Sequence, residues 1–139
     1  MAAYVEDVQN GTHIVAPSKQ LKRTVKLLSG ISSCLHILDE KWLDVSAENG
    51  FAANEKEYCL NDIAKEKQWN FELKQTMYGH TLEDRKRLLH DYTFYITPHK
   101  SVRPTPKELM QIIQCAGGKV IIIYNSFIFI LTNMHFHSY

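Results

Sequence analysis

Twice along this chain a short β-branched or aromatic run stops at a proline, and a threonine further on opens a helical pattern. Thr12 to Ala16, centred on His13-Ile14-Val15, ends at Pro17-Ser18 and leads to Thr24; Asp91 to Pro98 ends likewise and leads to Thr105-Pro106. Such runs predict strands, since branched and aromatic side chains fit a pleated surface and proline cannot extend the ladder. Thr24 is placed to cap a helix reaching about Ser33, with Val25, Leu28 and Ile31 on one face and Leu27 beside them. Leu35 to Leu38 is the next apolar run. Asp39 then caps a second helix, with Trp42, Leu43 and Ala47 on its buried face and Gly50 as its stop. In the second passage Tyr92, Phe94 and Ile96 alternate with Thr93, Tyr95 and Thr97. Pro106 suits the first helical position, Leu109, Ile112, Ile113 and Ala116 form a stripe, and Gly117-Gly118 closes the helix before a strand at Val120. Strand, helix, strand in both places predicts an α/β layer with a parallel sheet.

The flanking stretches differ in character. Residues 3–9 alternate loosely through Tyr4, Val5 and Val8 before Asn10-Gly11, which predicts a hairpin onto the first strand. From Asn54 to His90 charged and amide residues are dense, yet Tyr58, Leu60, Trp69, Phe71, Leu73 and Met77 recur among them. A flexible linker would not carry so many large side chains, so this is an ordered connector lying against a neighbour, with a short charged helix from Leu82 to Leu89. Val120 to Tyr139 contains no Lys, Arg, Asp or Glu. Its apolar run ends at Leu131, short of the roughly 20 residues a spanning helix needs, and its Ile, Phe and Tyr make it β-prone.

Composition removes several classes of function. A net charge of +1 over 139 residues argues against a chain-wide cationic surface for nucleic acid, so anion binding must be local, as at Lys19, Lys22, Arg23 and Lys26. Cys34, Cys59 and Cys115 form no C-x-x-C pair, which suggests neither a zinc site nor a disulfide framework and fits a reducing compartment. The N-terminus lacks the apolar core of a signal peptide, so the tripeptide Asn10-Gly11-Thr12 carries little weight as a glycosylation site. No nucleophile elbow, zincin helix, dinucleotide loop or acid pair is present, which argues against catalysis. Gly117-Gly118-Lys119 lacks the rest of a phosphate loop and reads as a helix end. His135 and His137 alone are too few to define a metal site. No cofactor, metal or membrane partner is expected.

Thr12-His13-Ile14-Val15-Ala16, Arg23-Thr24-Val25-Lys26 and His36-Ile37-Leu38 leading into Trp42-Leu43 resemble the last three-quarters of a BRCT repeat. Trp42 on the final helix of the repeat is the most specific hallmark. A second repeat is similar from Tyr92-Thr93-Phe94-Tyr95-Ile96-Thr97-Pro98 through Cys115-Ala116-Gly117-Gly118-Lys119-Val120, where the double glycine is another hallmark. Between them, Tyr58-Cys59-Leu60-Asn61-Asp62, Glu66-Lys67, Phe71-Glu72-Leu73 and Leu88-Leu89 resemble the inter-repeat segment of the tandem BRCT branch that holds PAX-interacting and checkpoint-mediator proteins. The resemblance covers about Tyr4 to Val120.

The resemblance implies an α/β fold with a BRCT-type parallel sheet and flanking helices, as two incomplete tandem repeats. Residues 1–53 would be the first repeat without its first strand and helix, 54–90 the connector, 91–120 the start of the second repeat and 121–139 a divergent apolar tail. The chain then reads as a fragment or a mis-spliced product, its tail translated from non-coding sequence. The missing strand-to-helix loop is the one that, in the family, supplies a Ser or Thr hydroxyl and a Gly N–H to phosphate. Lys26, in the first turn of its helix, would contact the phosphate, with Thr24 shaping that turn; the alternative is a solvated surface lysine. Arg23 would grip peptide backbone or a terminal carboxylate through its planar fork. Leu28 would line the apolar side of the same groove or simply pack between repeats, while His13 reads as a hydrogen-bonded core histidine. The implied role is a non-catalytic adaptor binding phosphoserine or phosphothreonine peptides of chromatin or damage-signalling proteins in the nucleus. Alternatives are a phosphate-independent scaffold in transcription or chromatin regulation, and the appended module of a larger DNA-processing enzyme.

Overall fold

The computed structural model describes residues 3–124, and two parallel strand pairs organise it. β1 (His13–Ala16) pairs with β2 (His36–Asp39), His13 opposite His36 and Val15 opposite Leu38. β3 (Thr93–Ile96) pairs with β4 (Lys119–Ile122), Phe94 opposite Val120. Parallel neighbours need a crossover, and a helix supplies each. In chain order the helices are α1 (Val25–Ser33), α2 (Lys41–Asn49), α3 (Ile63–Trp69), α4 (Leu73–Gly79), α5 (Leu82–Lys86) and α6 (Pro106–Cys115). The expected α/β architecture with parallel strands is therefore the one the chain adopts.

Local chemistry explains the helix starts. Thr24 Oγ1 accepts from the Leu27 N–H at 3.1 Å, and Thr105 forms a reciprocal capping box with Glu108. Asp39 Oδ1 accepts from the Lys41 N–H at 3.0 Å, although Glu40 rather than Asp39 occupies the cap position of α2. Gly50 and Gly117 end α2 and α6 with φ of +72° and +85°. The charged helix is shorter than expected: α5 stops at Lys86, and Arg87 to Asp91 turn away from it.

Other expectations fail as well. Residues 3–9 form no strand; Asp7 caps a single 3-10 turn, Val8–Asn10, and Val8 is buried. Its side chain comes near Gly30 of α1, so one anchored apolar residue replaces the hairpin. On α2, Leu43 and Ala47 are exposed, and the half-buried face is Trp42, Val45 and Ser46. Periodicity correctly marked a face there but not the one that meets the body of the protein.

The connector completes the core. Leu60, Leu73 and Met77 lie at 2%, 0% and 2% exposure in one cluster with Leu21, Leu27 and Ile37. Each such side chain contributes about 1.5–3 kcal/mol when fully buried. The Leu60 N–H donates to the Ile37 carbonyl at 3.0 Å and Cys59 bridges Leu38, so the connector backs the second edge of β2. Asp62 caps α3 through Lys65 N–H and also accepts from Leu21 N–H at 3.2 Å. Glu66 Oε1 accepts from Leu73 N–H at 2.8 Å at the start of α4. Arg85, 7% exposed, donates to the carbonyls of Ile31 and Cys34 at the end of α1, the latter at 3.0 Å. A cation there also complements the helix dipole.

In the second unit α6 packs on both β4 and α1. Phe94 and Ile96 are half-buried while Thr93 and Tyr95 are exposed, as alternation predicts. β4 continues through Ile122, two residues into the segment expected to diverge. The remainder of that tail, with His135 and His137, lies outside the described residues. Among the described residues no helix is long and apolar enough to cross a membrane.

Candidate functional site

Packing of α1 on α6 opens a cleft of about 560 Å³ beside the start of α1. Val25, Lys26, Lys107, Met110 and Gln111 line it, and Glu6 to Gln9 complete its rim. Lys26 is exposed in the first turn of α1, where backbone N–H groups and the helix dipole attract an anion. Lys107, at the second position of α6, brings another ammonium group to the same space. Its position on the second unit makes the cleft a joint product of both, which reading the first unit alone would not disclose. Glu6 and Asp7 give the rim a mixed charge.

The other expected residues are distributed around this cleft rather than gathered in it. The Thr24 hydroxyl is engaged in capping and thereby sets the direction of the turn that carries Lys26. Arg23 lies over the Trp69 ring of α3, 4.6 Å from its centroid, on the side of the connector. Leu28 is half-buried on the helix that packs against α5 and α6. Lys26 alone of the four lines the cleft.

A second constellation lies on the β1–β2 pair. His13 and His36 are register partners with ring centroids 4.8 Å apart, and Trp42 stacks on His13 at 5.3 Å. The Trp42 indole donates to the Ala53 carbonyl at 2.9 Å, which holds α2 against this face; the residue is half-buried, not buried as expected. His13 Nδ1 meets Thr12 Oγ1 at 2.8 Å, and His36 Nδ1 meets the Tyr78 hydroxyl at 3.0 Å. Burial, followed by the neighbouring His13, lowers the His36 pKa, and burial pushes the Tyr78 phenol up to about 12. Both groups are thus held neutral near pH 7.

No family model matches the chain. Among curated proteins it is 34% identical over 107 residues to mediator of DNA damage checkpoint protein 1 of Homo sapiens, covering 77% of this chain and 5% of that protein. It is 32% identical over 116 residues to PAX-interacting protein 1 of Bos taurus, covering 84% of this chain and 11% of that protein. The chain therefore corresponds to a small part of each of these relatives. Among solved structures, the BRCT5-BRCT6 domains of S. pombe Brc1 superpose with a TM-score of 0.66 at 26% identity, covering 87% of this chain and 57% of that one.

Proposed function

The chain is a BRCT-type module homologous to checkpoint-mediator and PAX-interacting proteins, and from that premise we propose that it is a non-catalytic adaptor reading phosphoserine or phosphothreonine peptides in the nuclear DNA-damage response. The observation that carries the reading is Lys26 at the N-terminal turn of α1, opening with Lys107 onto a cleft between the two units. Phosphate is a compact dianion, and a lysine point charge beside first-turn N–H groups is suited to it. A peptide leaving the phosphate would run along α1 and α6, with Leu28 near the junction of the two units and Arg23, steadied on Trp69, as a grip for backbone or a carboxylate. The partner would be a phosphorylated chromatin or damage-signalling protein.

Fluorescence anisotropy with a library of phosphoserine and phosphothreonine peptides, each paired with its unphosphorylated form, tests this. The phosphorylated members should bind more tightly, and Lys26→Met should weaken them about tenfold or more, as expected for loss of a charge-assisted contact worth roughly 1.5–3 kcal/mol. Equal affinity within the pairs, or no change on Lys26→Met, would refute it. The acidic rim of Glu6 and Asp7 favours a second reading, a phosphate-independent protein scaffold. That reading predicts peptide binding that is indifferent to phosphorylation.

A further inference from the structure

We propose that His13, His36 and Glu55 form a binding site for a zinc-like divalent transition-metal ion, distinct from the peptide cleft. One ligating atom from each lies within 4.8 Å of the other two, and His13 Nε2 is 3.8 Å from Glu55 Oε1. The strand register places both imidazoles on one face of the β1–β2 pair, and Glu55 begins the 3-10 turn Glu55–Tyr58, which packs on β2.

Three further observations point to a ligand. His13 Nε2 is buried and has no hydrogen-bond partner among the described residues, a costly condition that coordination would relieve. Each imidazole has its Nδ1 engaged by a hydroxyl, Thr12 on His13 and Tyr78 on His36. This matches the supporting bonds that orient metal-binding histidines and leave the other nitrogen for the ion. Trp42 stacked on His13 further restricts that ring.

Two imidazoles and one carboxylate suit zinc and its neighbours, whereas magnesium and calcium prefer oxygen-only shells. Zinc bonds of about 2.0–2.1 Å put tetrahedral donors roughly 3.4 Å apart, so binding requires side-chain rotations of about 1 Å. The set leaves a fourth position for water or an external donor. Lys56 and Arg85 are the nearby cations that weaken attraction for the ion, and Glu55 opposes them.

The test uses the full, tag-free chain under reducing conditions. Zn²⁺ is titrated by calorimetry, and Co²⁺ is followed by visible absorption and by histidine NMR signals. The expected result is one tight equivalent, perturbation of the His13 and His36 resonances, and a tenfold or greater loss of affinity in Glu55→Gln and His36→Gln. Tyr78→Phe, which removes only the orienting hydroxyl, should weaken binding about tenfold. Where His36→Gln disturbs folding, Glu55→Gln decides, because it preserves shape and removes only the carboxylate charge. Failure to bind, or affinity unchanged in Glu55→Gln, would overturn the assignment and place any bound ion on other histidines or cysteines.

Discussion

Replacing Gly117 with alanine should destabilise the protein far more than the same change at Gly50, although both glycines end a helix in the left-handed region. At Gly50, with φ of +72°, nothing lies within 4 Å of an added Cβ. The cost there is conformational, about 1 kcal/mol. At Gly117, with φ of +85°, the Cβ would sit 2.5 Å from the Lys86 carbonyl oxygen and 3.4 Å from Arg87 Cα. Those atoms are backbone at the end of α5 and cannot swing aside as a side chain tip would. The same passage is pinned by the Leu89 N–H on the Ala116 carbonyl at 2.8 Å and the Lys119 N–H on the Tyr92 carbonyl at 3.0 Å. Adding about 1–3 kcal/mol for overpacking brings the total to about 2–4 kcal/mol. With a urea slope of about 1.5 kcal/mol per M, the midpoint should fall by roughly 1.3–2.7 M for Gly117→Ala and by under about 1 M for Gly50→Ala. Urea unfolding followed by tryptophan fluorescence measures both. Equal losses at the two sites would refute the claim that the connector backbone, rather than the turn, demands this glycine.

Arg85→Met should cost about 3 kcal/mol, because it leaves the Ile31 and Cys34 carbonyls at the end of α1 without their donor; thermal unfolding reads it, and a loss below about 1 kcal/mol would mean that water replaces the guanidinium. Burial pushes the Cys59 thiol up to about 11, so its labelling by a disulfide reagent at pH 8 should be slow when folded and fast in urea. With the folded value above the ordinary 9.0, the associated stability is intact below pH 9 and is lost as pH rises toward 11; a Cys59→Ser variant should show a smaller alkaline loss. Hydrogen bonds from the Thr105 backbone and hydroxyl hold Glu108 below its ordinary value of 4.5. Its contribution is therefore present above pH 4.5 and fades on acidification, and Thr105→Ala should return the Glu108 NMR titration midpoint toward 4.5.

Features that depend on neighbours in sequence were legible before the fold was known. Thr24 and Thr105 cap helices through amides three residues on, and Gly50 and Gly117 stop them, so both crossover helices and their strands follow from short spans. Lys26 belongs to this group too, because a cap and a helix start place it in the first turn. The apparent hairpin at residues 3–16 failed because loose alternation at Tyr4, Val5 and Val8 does not supply a partner edge, and one buried Val8 beside α1 satisfied the segment instead. On α2 the pattern allowed a face through Leu43 and Ala47, yet the indole bond to Ala53 and the stack on His13 turned Trp42, Val45 and Ser46 inward.

What the amino-acid sequence determined by itself was local: two strand–helix–strand passages, their caps, and a lysine aimed from a helix start. Only the tertiary structure decided that Lys107 shares the cleft with Lys26, that Arg23 rests on Trp69, and that the connector fills the core of the first unit. It also brought His13, His36 and Glu55 together from two strands and a turn. The physical reason is common to all of these. Caps and turns close hydrogen bonds within a few residues, whereas a cleft or a ligand cluster depends on parallel register and helix packing between segments far apart in the chain.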